Sequence, residues 1–401
     1  MRFMAGNSWK RRRRPSIPPI VAVCALVVAG GNCAARRPPA ASPVAEVGLE
    51  YLGAVVYAPG TLAVPGESLG VGSLSGLAFD RASGRWVAAM DEVTRPRLVW
   101  LDINVAGGGP TVVPRRFTFL RPIAGGAPPE TIDVLDMESL VALPGGDFAT
   151  TNEGHVDRRG VARQPVVLRI ARDGGVVAAV RPRPHFTIDP ADRSRGVRHN
   201  LGLESLTRTP DGRLISGMEQ PLAQDGPTSS ASRGGRVRLL EFVPDGATWR
   251  PGREWPYDLD PTPAVAGYGP PCGDGENGLS ELFALDDRRL IALERACLNG
   301  AEGAPAFNPV RLHLVDLTSA EDVSRHASLA GVAVRPAAKR LLLDLTTLSA
   351  RVPVALRTWS NFEGLAAGPP APDGAPTLLL VSDDNFRATQ TLAVVWLKLR
   401  R

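Results

Sequence analysis

The chain contains few of the residues on which zinc and thiol sites depend. Its 401 residues include only five histidines and four cysteines. No Cys-x-x-Cys pair, no His-Glu-x-x-His motif and no phosphate-binding Gly-x-x-x-x-Gly-Lys run occurs in the sequence. These absences argue against a histidine-rich zinc site and against a Walker-type nucleotide site, and they direct attention to the carboxylates.

The sequence also lacks the excess of basic charge that a nucleic-acid-binding surface needs. Its 46 lysines and arginines outnumber 41 acidic residues, but six of the basic residues and none of the acidic ones lie within residues 1–35. The rest of the chain therefore has 40 basic and 41 acidic residues. Because phosphate backbones bind to clustered basic surfaces, we expect no nucleic-acid partner.

Residues 1–35 have the composition of an export leader. A basic run at residues 10–14 precedes the apolar stretch Ile17–Gly31. This pattern predicts a signal peptide, or a lipoprotein leader lipidated at Cys33, and hence a periplasmic or extracellular protein. The alternative is an uncleaved anchor, for which an apolar run of roughly 15 residues is short. Residues 36–47 are predicted to form a Pro/Ala-rich tether.

A short pattern recurs five times: an acidic or small residue before Leu, a turn, a hydrophobic strand and another acid. The copies run from Ser75-Gly76-Leu77 to Asp91-Glu92, from Glu138-Ser139-Leu140 to Asn152-Glu153, from Glu204-Ser205-Leu206 to Met218-Glu219, from Ser280-Glu281-Leu282 to Leu293-Glu294, and from Glu363-Gly364-Leu365 to Ser382-Asp383-Asp384. Each copy holds two strand-like runs joined by a tight turn, such as Asp211-Gly212. A third run, and in most units a fourth, follows in the sequence.

Units of four antiparallel strands predict an all-β fold, a single β-propeller of five to seven blades over residues 48–401. Five repeats are visible, and a sixth, divergent blade would have to lie within 102–131 or 316–360. The last unit ends after three strands. We therefore predict that Gly48–Ala58 supplies its fourth strand and closes the ring. We expect the protein to be a monomer.

The propeller geometry predicts where the repeated acids lie. If strands run alternately up and down within a blade, first-strand starts and second-strand ends share one face. The acids at these positions are Glu138, Glu204, Glu281 and Glu363 at first-strand starts, and Glu92, Glu153, Glu219, Glu294 and Asp383 at second-strand ends. A ring of carboxylates repels itself unless cations neutralise it, and such ligands suit calcium or magnesium. The alternative is that these are solvated turn acids repeated by duplication.

Two of the four cysteines, Cys272 and Cys297, lie outside the leader and flank the fourth repeat. The propeller places both in loops on the acidic face. A disulfide between them is expected in an oxidising compartment, and two free thiols are the alternative.

The repeats resemble the phytase-like family, also described by the esterase-like activity of phytase. The resemblance rests on Gly202–Leu206, on Asn277–Leu282 with Leu293–Arg295, and on Asn361–Leu365 with Ser382–Phe386. It extends from about residue 70 to residue 397 and implies a β-propeller, export and calcium-assisted hydrolysis of an ester or phosphoester. The first repeat departs from the pattern because Ser75 replaces the expected glutamate. A ligand from that blade would have to be Asp91 or Glu92.

These observations suggest roles for individual residues. We assign as calcium ligands Glu138, Glu153, Glu219, Glu281, Glu363, Asp383 and Asp384, and as catalytic residues Glu204, Glu294, Arg295 and His155. An unligated glutamate would act as general base. Arg198 and Arg387, together with Arg295, would bind an anionic substrate by bidentate hydrogen bonds. The alternative is that the arginines pair with neighbouring acids as structural struts and that His155 is a surface residue.

The sequence thus predicts an exported, calcium-assisted hydrolase whose substrate is a small anionic ester or phosphoester. A calcium-dependent lactonase would need the same metal but a neutral substrate. A non-catalytic envelope protein that binds a ligand or partner would use the metal for stability alone. In each case the membrane is contacted only through the leader or a lipid anchor.

Overall fold

The computed structural model describes residues 46–106, 109–122, 135–273, 277–301 and 304–400. Within these ranges the only helices are short 3₁₀ turns at Pro184–Phe186, Leu345–Leu348 and Val354–Leu356. None of the described helices is long and apolar enough to span a membrane. The predicted leader, residues 1–35, and the predicted tether up to residue 45 lie outside the described residues.

The strands form five antiparallel sheets around one axis. Strand β1 (Gly48–Tyr57) belongs to the last of them. Blade 1 contains β2 (Leu74–Asp80), β3 (Arg85–Met90), β4 (Arg97–Ala106) and β5 (Gly109–Phe119). Blade 2 contains β7 (Met137–Ala142), β8 (Phe148–Asn152), β11 (Val166–Ile170) and β12 (Gly175–Val180), and β6 (Arg121–Pro122) adds to it in parallel. A separate hairpin pairs β9 (His155–Val156) with β10 (Ala162–Arg163).

The other blades repeat this order. Blade 3 contains β13 (Leu203–Arg208), β14 (Leu214–Met218), β15 (Arg236–Asp245) and β16 (Thr248–Asp258). Blade 4 contains β17 (Asn277–Ala284), β18 (Arg289–Ala296), β19 (Val310–Asp316) and β20 (Ala338–Asp344). Blade 5 contains β21 (Asn361–Ala367), β22 (Thr377–Asp383), β23 (Leu392–Arg400) and β1. The Asp-Gly turn between β13 and β14 uses Gly212 at φ 93°, a left-handed conformation that favours glycine.

The β-propeller prediction is confirmed, with five blades in the described residues. The N-terminal strand closes the last blade: β1 pairs antiparallel with β23, from Gly48 opposite Arg400 to Tyr57 opposite Leu392. In their described parts, the segments 102–131 and 316–360, where the sequence allowed a sixth blade, hold outer strands of blades 1 and 4, strand β6 of blade 2 and 3₁₀ turns. The first strand, β1, and the last strand, β23, therefore pair and close the ring, which removes an open edge from blade 5.

The hydrophobic core lies between neighbouring blades. The first strands contact one another in the order β2, β7, β13, β17, β21 and back to β2, so they form a closed ring around the axis. Outside this ring, side chains of adjacent sheets interlock. Between blades 1 and 2, for example, the edge of Trp100 meets Phe148 with the ring centroids 5.8 Å apart. This packing fixes the spacing of the blades, and therefore the width of the axial opening.

The closing strand yields a test of the architecture. Removing residues 1–58 should expose β23 as an open edge and lower the melting temperature by more than about 10 °C, because several kcal/mol of stability depend on one strand pair. Removing residues 1–45 should leave the melting temperature unchanged. Circular dichroism melts of the two truncated chains measure this difference, and equal melting temperatures would contradict the closure.

Candidate functional site

The first strand of every blade carries a bulge at the same place. Pairing with the second strand skips one or two residues directly after Leu74, Met137, Leu203, Leu279 and Phe362. A bulge leaves a residue unpaired and re-aims its side chain. The first skipped residues form what we call the inner ring: Ser75, Glu138, Glu204, Ser280 and Glu363. Three blades thus contribute a glutamate from this position, and two contribute a serine.

The second strands supply an equivalent set. The residues opposite the pre-bulge positions are Met90, Asn152, Met218, Glu294 and Ser382. The residues that follow them directly form what we call the outer ring: Asp91, Glu153, Glu219, Arg295 and Asp383. Four blades contribute an acid here, and blade 4 contributes an arginine.

The two rings surround a cavity at one end of the axis, the mouth. It has a volume of about 240 Å³. Its lining contains Asp91, Glu138, Glu204, Glu219, Arg295, Glu363 and Asp383 from the rings, together with Asn361 from the start of β21 and Asn200, Leu201 and Asn385 from loops. The five blades therefore bring six carboxyl groups and one guanidinium to a space of molecular size.

The carboxyl groups approach one another closely. Oxygen atoms of Asp91, Asp136 and Glu138 lie within 4.8 Å of one another, and so do oxygens of Glu138, Glu153 and Glu204. At an effective dielectric constant near 20, two negative charges at this separation repel by about 3–4 kcal/mol. The acids therefore cannot all be ionised unless cations neutralise them.

Arg295 is the cation that the chain itself supplies. Its Nη2 atom lies 3.3 Å from Glu219 Oε1, 3.3 Å from Glu363 Oε1 and 3.9 Å from Glu204 Oε1. One guanidinium thus contacts acids of blades 3 and 5. Glu204, a member of the group Glu138, Glu153 and Glu204, connects these contacts with the carboxylates around Glu138.

The pKa values respond to this crowding. Burial, followed by the charges of Asp136 and Asp383, raises the pKa of Asp91 to about 8. Burial raises the pKa of Asp383 to about 6. Burial and neighbouring carboxylates also raise the pKa values of four glutamates well above their usual range: Glu138, Glu153, Glu204 and Glu363. In these acids, the free-energy cost of burying negative charge exceeds the stabilisation that Arg295 provides.

Two buried oxygens at the mouth have no hydrogen-bond partner among the described residues. They are Asp91 Oδ1 and Glu153 Oε2. Orphaned buried acceptors are costly, and a cation ligated by oxygen would satisfy them. Together with the two carboxylate groups that share Glu138, they fit a hard divalent ion.

Asp136 belongs to this cluster but was not predicted from the sequence. It lies two residues before Glu138, where the other repeats have Ser73, Gly202, Gly278 and Asn361. Its acid is therefore not part of the repeated pattern. The one available signal is its proximity in sequence to Glu138.

The repeat pattern also predicted Glu281 at the mouth, and the structure places it elsewhere. In blade 4 the bulge residue is Ser280, so Glu281 is one position out of phase with Glu138 and Glu204. A shift of one residue turns a strand side chain to the other side. Glu281 Oε2 lies 2.7 Å from Ser139 Oγ of blade 2, and Oε1 accepts a hydrogen bond from the Leu206 amide of blade 3 at 3.0 Å. Its buried carboxyl therefore links three blades.

Glu294 is out of phase in the same way, because Arg295 occupies the outer-ring position of blade 4. Its carboxylate lies between blades 3 and 4, where it accepts hydrogen bonds from Tyr257 Oη at 2.6 Å, Asn277 Nδ2 at 2.9 Å and Lys339 Nζ at 2.6 Å. Glu92 was also expected at the mouth. It instead pairs with Arg95 and Arg97, and Asp91 takes its place in the outer ring.

Three further residues assigned from the sequence lie around the mouth without lining it. His155 is buried, and its Nδ1 lies 3.1 Å from Asp136 Oδ2, behind the carboxylate cluster. Asp384 Oδ1 accepts a hydrogen bond from the Ser73 amide at 2.7 Å, which joins blade 5 to blade 1. Arg198 donates to the carbonyl oxygens of Pro221 at 3.1 Å and Gly226 at 2.8 Å, so it braces a loop.

Arg387 is exposed and lines a separate cavity beside the mouth. Cys272 and Cys297 form a disulfide with their Cα atoms 5.5 Å apart, and it joins the segment before β17 to the residue after β18. The oxidised form of this pair is the one expected from the sequence.

One serine motif has the spacing of a nucleophile elbow. Gly66-Glu67-Ser68-Leu69-Gly70 matches the Gly-x-Ser-x-Gly pattern of nucleophile elbows. Ser68, however, lies on an exposed bend, and no helix follows it. The strand–turn–helix context that exposes a catalytic serine is therefore missing from this segment.

The family comparison agrees with the fold. A family model with the description "Phytase-like: Esterase-like activity of phytase" matches residues 69–386. The chain belongs to this family. The matched part of the phytase-like chain includes every residue of the inner and outer rings. No curated protein matches the sequence.

Several solved structures are similar to this phytase-like chain at low identity. A protein of unknown function from Dyadobacter fermentans is 13% identical, over 88% of this chain and 100% of its own, with a TM-score of 0.38. A gluconolactonase from Xanthomonas campestris is 10% identical, over 87% and 91%, with a TM-score of 0.31. A putative 6-phosphogluconolactonase from Bacteroides uniformis is 14% identical, over 80% and 82%, with a TM-score of 0.28.

The raised pKa values predict how the metal-free protein responds to pH. A carboxyl whose pKa is higher in the folded than in the unfolded chain stabilises the fold at low pH, and this contribution is lost as the pH rises through the folded pKa. With pKa values of about 6 for Asp383 and about 8 for Asp91, stability should fall across that range. In a chelator, we expect the melting temperature to drop by about 5 °C or more between about pH 5 and about pH 8. A melting temperature that stays level or rises would contradict the assignment.

Glu281 gives a second prediction. Ser139 Oγ lies 3.2 Å from the Leu206 carbonyl oxygen and 2.7 Å from Glu281 Oε2. If the hydroxyl donates to the carbonyl, a neutral Glu281 donates to the hydroxyl, and burial does raise the pKa of Glu281 well above its usual range. Glu281→Gln should therefore keep the melting temperature within about 3 °C, whereas Glu281→Ala should cost about 2–5 kcal/mol. Equal damage in both variants, measured by thermal melts, would show that an ionised carboxylate is required.

Proposed function

We propose that this phytase-like propeller hydrolyses small anionic esters or phosphoesters at the mouth, with the assistance of a calcium ion. One observation supports the proposal most strongly. Eight carboxyl groups, those of the two rings and Asp136, face a single guanidinium among the described residues, and two of their buried oxygens are unpartnered. Such a site favours the binding of a cation, because its carboxyl groups outnumber its positive charges.

Calcium would be held by Asp91, Asp136, Glu138 and Glu153, which belong to the two groups that share Glu138. Glu204, the remaining member, would stay unligated. Calcium accepts six to eight oxygen ligands in flexible geometry, whereas magnesium retains several waters, so a site rich in protein carboxylates favours calcium. When bound, the ion would supply Lewis-acid polarisation of the ester or phosphoester oxygen.

The side chains around this position can take the remaining roles. Arg295 lies against Glu204, Glu219 and Glu363 and would hold the negative charge of the substrate, because a guanidinium has several donors in one plane. Glu204 lies between the guanidinium and the other carboxylates. Burial raises its pKa above the usual range of a glutamate, and a carboxylate with a raised pKa is a stronger base. His155 would hold Asp136 in place from behind.

Export completes the proposal. The composition of residues 1–35 is that of a leader, and the Cys272–Cys297 disulfide suits an oxidising compartment such as the periplasm or the extracellular space. We propose that the mature protein acts there as a monomer.

Two alternatives make different demands on the same mouth. Asp91, Glu138 and Glu204 belong to three different blades, so an ion held by them would tie these blades together. This observation favours a non-catalytic binding propeller with structural calcium as the second candidate. A calcium-dependent lactonase would use the metal and Glu204 but, having a neutral substrate, would depend little on Arg295.

Turnover of p-nitrophenyl esters and phosphates, after chelation and after calcium is restored, separates these functions. Glu204→Gln should lower kcat by about 100-fold or more, the usual loss when a general base is removed. The control Glu321→Gln changes an exposed glutamate that pairs with Arg335, and it should leave turnover unchanged.

Arg295→Gln should impair phosphoester turnover more than turnover of a neutral lactone. Calcium that restores the melting temperature without any turnover would support the binding propeller. Turnover that persists unchanged in a chelator and in Glu204→Gln would contradict the proposed hydrolase.

A further inference from the structure

A second cavity lies beside the mouth, where blades 4 and 5 meet. This side cavity has a volume of about 260 Å³. Its lining comprises Pro305, Ala306, Asn308, Ala355, Thr358, Trp359, Ser360, Asn361, Arg387, Thr389, Gln390 and Thr391. Asn361 lines both cavities, and Asn385 and Arg387 of one loop line the mouth and the side cavity respectively. A ligand could therefore occupy both spaces at once.

The walls of the side cavity hold a donor and an acceptor without partners. Trp359 is 1% exposed, and its Nε1 makes no hydrogen bond among the described residues. Gln390 Oε1 is also buried and unpartnered in the described part of the chain. A buried polar group without a hydrogen-bond partner destabilises the fold unless a ligand or water satisfies it. Both residues line the side cavity, and a ligand that reached these two atoms would offer the indole N–H an acceptor and the amide oxygen a donor.

The backbone at Trp359 is also unusual. Its φ angle is 52°, a left-handed conformation that a bulky residue rarely adopts. Backbone strain of this kind concentrates at active sites and ligand-binding sites. The neighbouring Ser360 and Thr391 hydroxyls lie 2.8 Å apart and add polar atoms to the same wall. Trp359 therefore combines a strained backbone with an indole N–H that has no hydrogen-bond partner among the described residues.

Arg387 supplies the charge. Its side chain is exposed at the side cavity and makes no ion pair in the described residues. Its main chain is fixed, since the Arg387 amide donates to the Asp384 carbonyl at 2.8 Å. A guanidinium binds carboxylate or phosphate through two parallel hydrogen bonds. The cavity thus combines a cation with a donor and an acceptor for neutral oxygen groups.

We propose that the side cavity binds a second anionic group of the substrate, a phosphate or carboxylate on a hydroxyl-bearing carbon skeleton, whereas Arg295 meets the charge at the scissile ester in the mouth. Arg387 holds the charge, while Trp359 and Gln390 bind oxygen groups of the skeleton. The proposal rests on the proposed hydrolase for its role in the reaction, because the scissile ester would then lie in the mouth. The binding itself does not require turnover.

Calorimetric titration of the metal-free protein in a chelator tests the binding directly. The acidic mouth repels anions under these conditions, and the loss of affinity in Arg387→Gln identifies the binding that depends on the side cavity. The probes are glucose 6-phosphate, gluconate and neutral glucose. We expect the two anions to bind more tightly than glucose, and Arg387→Gln to weaken their binding about tenfold, as loss of one charge-assisted contact of about 1.4 kcal/mol requires.

Matched variants make the result specific. Arg357→Gln removes an exposed arginine from the same region that does not line the side cavity, and it should leave the affinities unchanged. Trp359→Phe keeps a ring but removes the donor, and it should weaken binding about fivefold. Preference for glucose 6-phosphate identifies a phosphate site, and preference for gluconate identifies a carboxylate site. Equal affinities in wild type and Arg387→Gln, or no anion binding at all, would overturn the proposal.

A kinetic comparison separates this proposal from the proposed function. In Arg387→Gln, KM for an anionic ester should rise about tenfold with kcat unchanged, and KM for neutral p-nitrophenyl acetate should stay the same. Anion binding without turnover of any ester would support the proposed anion site and contradict the proposed hydrolase. Turnover of anionic esters that is unchanged in Arg387→Gln would support the hydrolase and contradict the anion site.

Discussion

Repulsion between buried carboxylates is the constraint on which the rest of this structure depends. The closed ring of first strands forces Glu138, Glu204 and Glu363 to face a common axis, and the outer ring adds further acids. Arg295 neutralises only one side of the mouth. A surface acid can rotate its side chain into solvent, away from neighbouring charges, but these buried carboxyl groups cannot. The fold therefore holds a region of high negative potential that protons or a bound cation must balance.

The architecture keeps this region in place. The interlocked core between blades resists the outward movement that repulsion favours, and the pairing of β1 with β23 prevents the ring from opening. Below the mouth, Glu281 connects blades 2, 3 and 4 through hydrogen bonds inside the ring. The blades behave as rigid supports, so the acids retain a fixed arrangement into which an ion can fit. The packing of the blades thus holds the carboxylates in place although their mutual repulsion destabilises the site.

The sequence was sufficient for the architecture because blades repeat. Hydrophobic alternation and Asp-Gly turns identified the strands, and the incomplete last unit identified β1 as its partner. The site was harder to predict because it depends on register: Glu281 and Glu294 each lie one residue from the ring position, which Ser280 and Arg295 occupy. Asp136 belongs to no repeat. The unpartnered Trp359 and Gln390 could not be found from the sequence at all, since burial without a partner is a property of the packed structure.

Calcium binding that releases protons tests the central claim most directly. Because the carboxyls of the mouth have raised pKa values, some carry protons near neutral pH, and an arriving ion must displace them. Calorimetric titration with calcium, in two buffers of different ionisation enthalpy at about pH 7, measures both affinity and proton release. We expect a Kd below about 1 mM, with release of at least one proton. Absence of binding, or binding without proton release, would contradict the account.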